Sequence, residues 1–258
     1  MCIFSGSVEQ VSATEIFCRM TDYGTQFLVY KMEFSAEQDV AMILPFPQKR
    51  GGAQPRFINF EDVPEFFKKL QSLFPVRRTR GSRGLKSAPM SFSIPVIQFG
   101  SFEGSFVPTI NDFDRLDERF RFASGTLDAM KRLYGDYSFA VFKLKPGRDV
   151  KVHPMAFAFD ARDPKKIFFP TVHVHDGEWH ASEHFDHTLY AQVPEDNLRG
   201  EIREANKAGN PTEVSERKMS INKDLRSSPA SEAVVAAPVF RVKLRGNLEN
   251  RDQIFSLS

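Results

Sequence analysis

Apolar and polar residues alternate with a strand's two-residue period through the first third of this chain, and that rhythm points to a sheet. The runs are Ile3 to Val8, Glu15 to Met20 and Gln26 to Phe34, separated by the turn-prone stretches Ser12-Ala13-Thr14 and Asp22-Tyr23-Gly24. Short turns between such runs make antiparallel neighbours the economical connection. The next run, Val40-Ala41-Met42-Ile43-Leu44, is apolar without interruption, as expected of a central strand covered on both faces, and Pro45 and Pro47 close it.

The period then changes. Between Asp62 and Pro75, the residues Val63, Phe66, Phe67, Leu70, Leu73 and Phe74 fall on one helical stripe. Asp62 stands where a cap belongs, Glu65 follows three residues later, and Pro75 stops propagation. Helical spacing returns around 112–120 and 126–134, strands resume from Tyr137 to Leu144, and Arg199 to Lys207 reads as a short polar helix. The pattern predicts an α+β protein, mainly antiparallel sheets with a few helices, in two β-rich lobes. The expected divisions are a meander plus helix over 1–76, a basic connector over 77–91, and a second β-rich lobe over 92–209. A flexible arm over 210–235 and a returning strand within 236–258 complete the chain. The connector holds Arg77, Arg78, Arg80, Arg83 and Lys86 among glycines and a serine, without the aromatic residues on which single-stranded nucleic acid stacks.

With 26 phenylalanines and 41% hydrophobic residues, the chain can bury a core without disulfide support. Its 35 basic and 33 acidic residues leave a formal charge of +2, which argues against a dedicated nucleic-acid binder. Only Cys2 and Cys18 occur, there is no secretory leader, and no apolar run is long enough to span a bilayer. A cytoplasmic protein with free thiols and no membrane contact is the expectation. Nucleotide-binding loops, zinc-finger spacings and nucleophile elbows are absent from the sequence.

Two places carry candidate chemistry. All six histidines lie between His153 and His187. Within that stretch Asp176-Gly177 separates Phe168–His175 from Glu178–Ser182, a strong signal for a two-residue hairpin. In that register His173, His175, Glu178 and His180 share one face, with Val172, Val174, Trp179 and Ala181 on the other. Three imidazoles and a carboxylate so placed would suit Zn²⁺ or another divalent transition metal. His187 and His153 fall in step with apolar neighbours and are expected in the core.

The second place is the amino terminus. Removal of Met1 would leave Cys2 with its own α-amine as base, the logic of N-terminal-nucleophile hydrolases. Cys2 followed by Ile16-Phe17-Cys18-Arg19-Met20-Thr21-Asp22 resembles the start of the choloylglycine hydrolase and penicillin V acylase group. That resemblance implies catalytic roles for Cys2 as nucleophile, Arg19 beside the thiolate and Asp22 orienting the amine. A longer likeness, over residues 2–74, is to an uncharacterised bacterial family with a Pro-x-Pro strand end, carried here by Ile43-Leu44-Pro45-Phe46-Pro47 and the Phe-rich helix.

The leading specific mechanism is therefore a Cys2 amidohydrolase cleaving a C–N amide bond. The alternatives are a non-catalytic binding or structural protein, and a metal-binding protein using the histidine hairpin. The corresponding partners are a protein or a small amide substrate.

Overall fold

A computed structural model of the chain describes residues 3–74, 97–99, 102–122, 124–192, 212–215, 217–220 and 223–257. Cys2, the basic connector and the polar helix expected at 199–207 lie outside the described residues. In chain order the strands are β1 (Ile3–Phe4), β2 (Gln10–Met20), β3 (Thr25–Ala36), β4 (Val40–Phe46) and β5 (Arg56–Ile58). Helix α1 (Phe66–Ser72) follows, then β6 (Ile97–Phe99), β7 (Phe102–Val107), α2 (Ser124–Tyr134), β8 (Ser138–Leu144), β9 (Gly147–Lys151) and β10 (Met155–Asp160). The remainder comprises β11 (Lys166–Phe169), β12 (Ser182–Phe185), β13 (Thr188–Gln192), β14 (Thr212–Val214), α3 (Lys223–Ser227), β15 (Phe240–Lys243), β16 (Gly246–Glu249) and β17 (Gln253–Ser256). This is the α+β class expected, sheet-rich and mainly antiparallel.

Two sheets face one another. One runs β1-β4-β8-β7-β6, and the other β14-β15-β13-β2-β3-β10-β5 with β9 also on β3. Both draw strands from either side of the basic connector, so the sheets are interleaved in sequence. The larger sheet has two buried faces, and strand parity assigns its residues. Ile16, Cys18 and Met20 of β2, with Leu28, Tyr30 and Met32 of β3, join the core between the sheets, where Met42, Leu44, Phe142 and Phe157 meet them. Phe17, Phe27 and Val29 point the other way, against Phe66, Phe67 and Leu70 of α1. A one-residue slip in β2 would exchange these sets, so burial of both faces fixes the register.

Helix α1 begins later than its sequence suggests. Glu65 rather than Asp62 occupies the N-cap position, without a side-chain cap hydrogen bond. Pro64 disfavours helical backbone at Val63, so the first turn waits until Phe66. The apolar stripe is as expected: Val63, Phe66, Phe67, Leu70 and Phe74 are buried. The same layer is completed by part of the stretch expected as a flexible arm. Leu225, Ala230, Ala233 and Val234 are buried there, and the 3₁₀ turn Pro229–Ala233 is capped by Ser228, whose hydroxyl accepts from Ala230 N.

Small contacts join the layers. Phe57 of β5 stacks on Phe106 of β7 with ring centroids 4.0 Å apart, and Gly104 makes room for the Phe57 ring, which a Cβ would approach to 2.7 Å. Gln26, fully buried, treats β11 as a neighbouring strand: its amide donates to Phe168 O at 2.7 Å and its carbonyl accepts from Phe168 N at 3.0 Å. Cys18 is free and buried, and its thiol donates to the same Phe168 carbonyl. No helix among the described residues is long and apolar enough to cross a membrane.

Candidate functional site

The Asp176-Gly177 hairpin does not form, and the metal set expected from it is not assembled. A type I′ turn needs positive φ at both central residues. Gly177 has φ +86° but Asp176 is not left-handed, and its Oδ1 instead accepts from Glu178 N at 3.0 Å. The flanking segments also have other partners. Phe168 pairs opposite Ile254 of β17, and β12 pairs β16, so no edges are left to close on one another. Glu178 and His180 are exposed, whereas His173 is buried. The His180 imidazole meets Asp176 Oδ2 at 2.9 Å, and that hydrogen bond raises its pKa. Among the described residues no group of three or more His, Cys, Asp or Glu side chains is placed to hold a metal ion.

What the segment does instead is thread through the core. Thr171 N and Val172 N both donate to Asp252 Oδ1, at 2.6 and 3.0 Å. His173 N donates to Asn250 Oδ1 at 2.7 Å, while the Asn250 amide donates to His173 O at 2.9 Å and His180 O at 2.8 Å. Val174 bridges Ile3 in parallel, with Phe4 N donating to its carbonyl at 3.1 Å, and Val8 N donates to His175 O at 3.1 Å. Asn250 and Asp252 thus act as surrogate strand partners for a stretch without a regular neighbour.

This threading builds a different histidine cluster. His173 lies against His175 (ring centroids 4.9 Å apart), His187 (4.8 Å) and Phe185 (4.5 Å), and Phe4 approaches His175 at 6.0 Å. Both ring nitrogens of His173 and of His187, and Nε2 of His175, are buried without hydrogen-bond partners among the described residues. Nδ1 of His187 is 3.5 Å from Asp186 Oδ1, an ion-pair separation without hydrogen-bond alignment. Burial drives the His173 pKa far below that of free imidazole and lowers that of His175 to about 4. Both imidazoles are neutral at physiological pH. His187 is in the core, as its strand parity implied. Its meeting with His173 was hidden because the hairpin reading paired His173 with His180. Asn250 and Asp252, which hold the segment, carried no sequence signal beyond their turn-prone residue types.

Of the residues assigned to cysteine catalysis, Arg19 and Asp22 are among those described. Arg19 points away from the inter-sheet core that holds Ile3 and Phe4, the residues next to Cys2 in sequence. Its guanidinium lies 4.5 Å from the centre of the Phe27 ring, donates from Nε to Ala233 O at 3.0 Å, and donates from Nη2 to Glu232 O at 2.5 Å. Asp22 is exposed in the turn between β2 and β3, beside the almost fully exposed Tyr23. Arg19 therefore holds the 229–235 segment to the sheet, an anchoring role.

No family model and no curated protein matches this chain. Solved structures of baculovirus P35 do. A crystal structure of mutated baculovirus P35 after caspase cleavage aligns with 96% of this chain and 100% of its own, at 15% identity and a TM-score of 0.50. Baculovirus P35 itself aligns over 97% of both chains at 16% identity and a TM-score of 0.47. P35 in the caspase-8 complex aligns over 95% of this chain and 96% of its own, at 15% identity and a TM-score of 0.45. With the fold shared with the cleaved P35 structure, the expectation of a Cys2 amidohydrolase is corrected, and with no metal-holding group among the described residues so is that of a metal-binding hairpin. What the cleaved P35 structure shares with this chain is its fold, along almost the whole length of both.

Proposed function

We propose that this protein is a non-catalytic binding protein whose partner is itself a protein, of the endopeptidase class. The reading is carried by the fold that the chain shares with cleaved P35 over 96% of its length. P35 is the protein seen after caspase cleavage and in complex with caspase-8, and those partners supply the class. The binding reading needs no assembled nucleophile and no metal, in keeping with the separate duties of Arg19 and of the His173 segment described above.

The test is stoichiometric. The full chain is mixed with caspase-8 and, separately, with representative cysteine and serine endopeptidases, and residual peptidase activity is followed together with native mass. The expected result is loss of activity in proportion to added protein for at least one peptidase, with a complex of defined stoichiometry. Full activity and no complex for every peptidase, at several-fold excess of this protein, would overturn the proposal.

A further inference from the structure

We propose that His173, His175 and His187 form an acid-sensitive latch, whose protonation drives the imidazoles apart and releases residues 173–180 while the two main sheets remain folded. The cluster is an expensive way to fill space. Phenylalanine would pack between Phe4 and Phe185 without leaving ring nitrogens bare, whereas here both nitrogens of His173 and of His187 are buried and unpartnered among the described residues. Such an arrangement holds only while the rings are neutral. A proton added to any of them creates a charge and an N–H with no acceptor aligned to receive it. A second proton would place like charges on rings whose centres are 4.8 to 4.9 Å apart.

The charged groups facing the cluster do not rescue it. Asp186 Oδ1 is 3.5 Å from His187 Nδ1 without hydrogen-bond alignment, and Asp176, next to His175, favours its protonation but is already engaged by exposed His180. His175 and His184 both disfavour a cationic His173. Asp252 meets the same segment through the backbone amides of Thr171 and Val172. Phe4 and Phe185 close the cluster with hydrocarbon.

The direction of the response follows from burial. The folded pKa values of His173 and His175 lie below that of free imidazole. The closed form is therefore favoured above about pH 6.5 and loses ground as pH falls toward the folded values. The released segment would carry Trp179, the chain's single tryptophan, out of its half-buried position against the core.

That tryptophan makes the test direct. The full chain is titrated from about pH 7.5 to about pH 4 while tryptophan emission and far-ultraviolet circular dichroism are recorded on the same samples. The expected result is a red shift of emission at a pH where the circular dichroism is still native. In His175→Phe and His187→Phe the midpoint should move down by about one pH unit or more. In Asp252→Asn it should stay in place, which separates the histidines from the nearby buried carboxyl. Should His187→Phe fail to fold, His175→Phe, at a half-buried position, gives the same reading. Emission that stays constant throughout the native range overturns the proposal, as does a midpoint that moves with Asp252→Asn and not with His175→Phe.

Discussion

The Tyr134 hydroxyl donates to Asp252 Oδ2 at 2.7 Å, joining the last turn of α2 to a carboxyl buried ahead of β17. Desolvation of the half-buried Asp252 raises its pKa to about 6, against the opposing effect of the donated hydrogen bonds. A raised folded pKa means that the contribution to stability is full below the unfolded value, near pH 4, and is lost as pH rises through about 6. Asp252→Asn keeps an acceptor for Thr171 N and Val172 N and removes the ionisation. It should be as stable as the parent near pH 4 and more stable by roughly 2 kcal/mol at pH 7. Urea midpoints across that range check it; a gap that fails to widen with pH sinks the assignment.

Asn250→Ala should be strongly destabilising, by about 3 kcal/mol, because it strands the buried amide and carbonyl of His173 and removes the donor to the part-buried carbonyl of His180. Chemical denaturation measures the loss. A change below about 1 kcal/mol would show that water or another group replaces the side chain.

Gly104→Val should push Phe57 off Phe106, since even a Cβ at Gly104 comes within 2.7 Å of the Phe57 ring. Overpacking of this kind costs about 1 to 3 kcal/mol. Combining it with Phe57→Leu should recover part of the loss, a coupling that a double-mutant cycle in thermal unfolding would read.

Arg19→Met should leave the core between the sheets unchanged and loosen residues 229–235, which lose the donors to Glu232 O and Ala233 O. Hydrogen exchange should quicken in that segment and not at Cys18, with a stability loss of about 1 to 2 kcal/mol. Uniform acceleration would contradict a local anchoring role.

The sheets were legible in the sequence wherever a strand has one consistent set of neighbours. Alternation placed Ile16, Cys18 and Met20 opposite Phe17, and the unbroken Val40–Leu44 run is indeed a central strand, with β1 on one side and β8 on the other. Failure came where backbone is satisfied by side chains. The Asp176-Gly177 signal is local, and it lost to partners far along the chain: Phe168 found β17, and His173 found Asn250. Histidine composition correctly marked an unusual neighbourhood. Parity joined His173 to His175 but added Glu178 and His180 in place of His187, because residues 170–175 belong to no strand and alternation does not govern them. The role given to Arg19 came from a resemblance of short motifs, and such motifs say nothing of a side chain's partners across the sheet, which here are Glu232 O and Ala233 O.

The placement of β13 also bears on how the molecule comes into being. It lies parallel to β2, pairing Thr188 with Glu15 and Gln192 with Arg19, and carries β15 on its other edge. The hairpin of β2 and β3 can form early, but the large sheet has no continuous middle until β13 arrives, and no finished far edge until β15 does. A nascent chain must hold an apolar strand edge open through most of its synthesis. Such long-range closure makes refolding slow and exposes that edge to self-association in the interval.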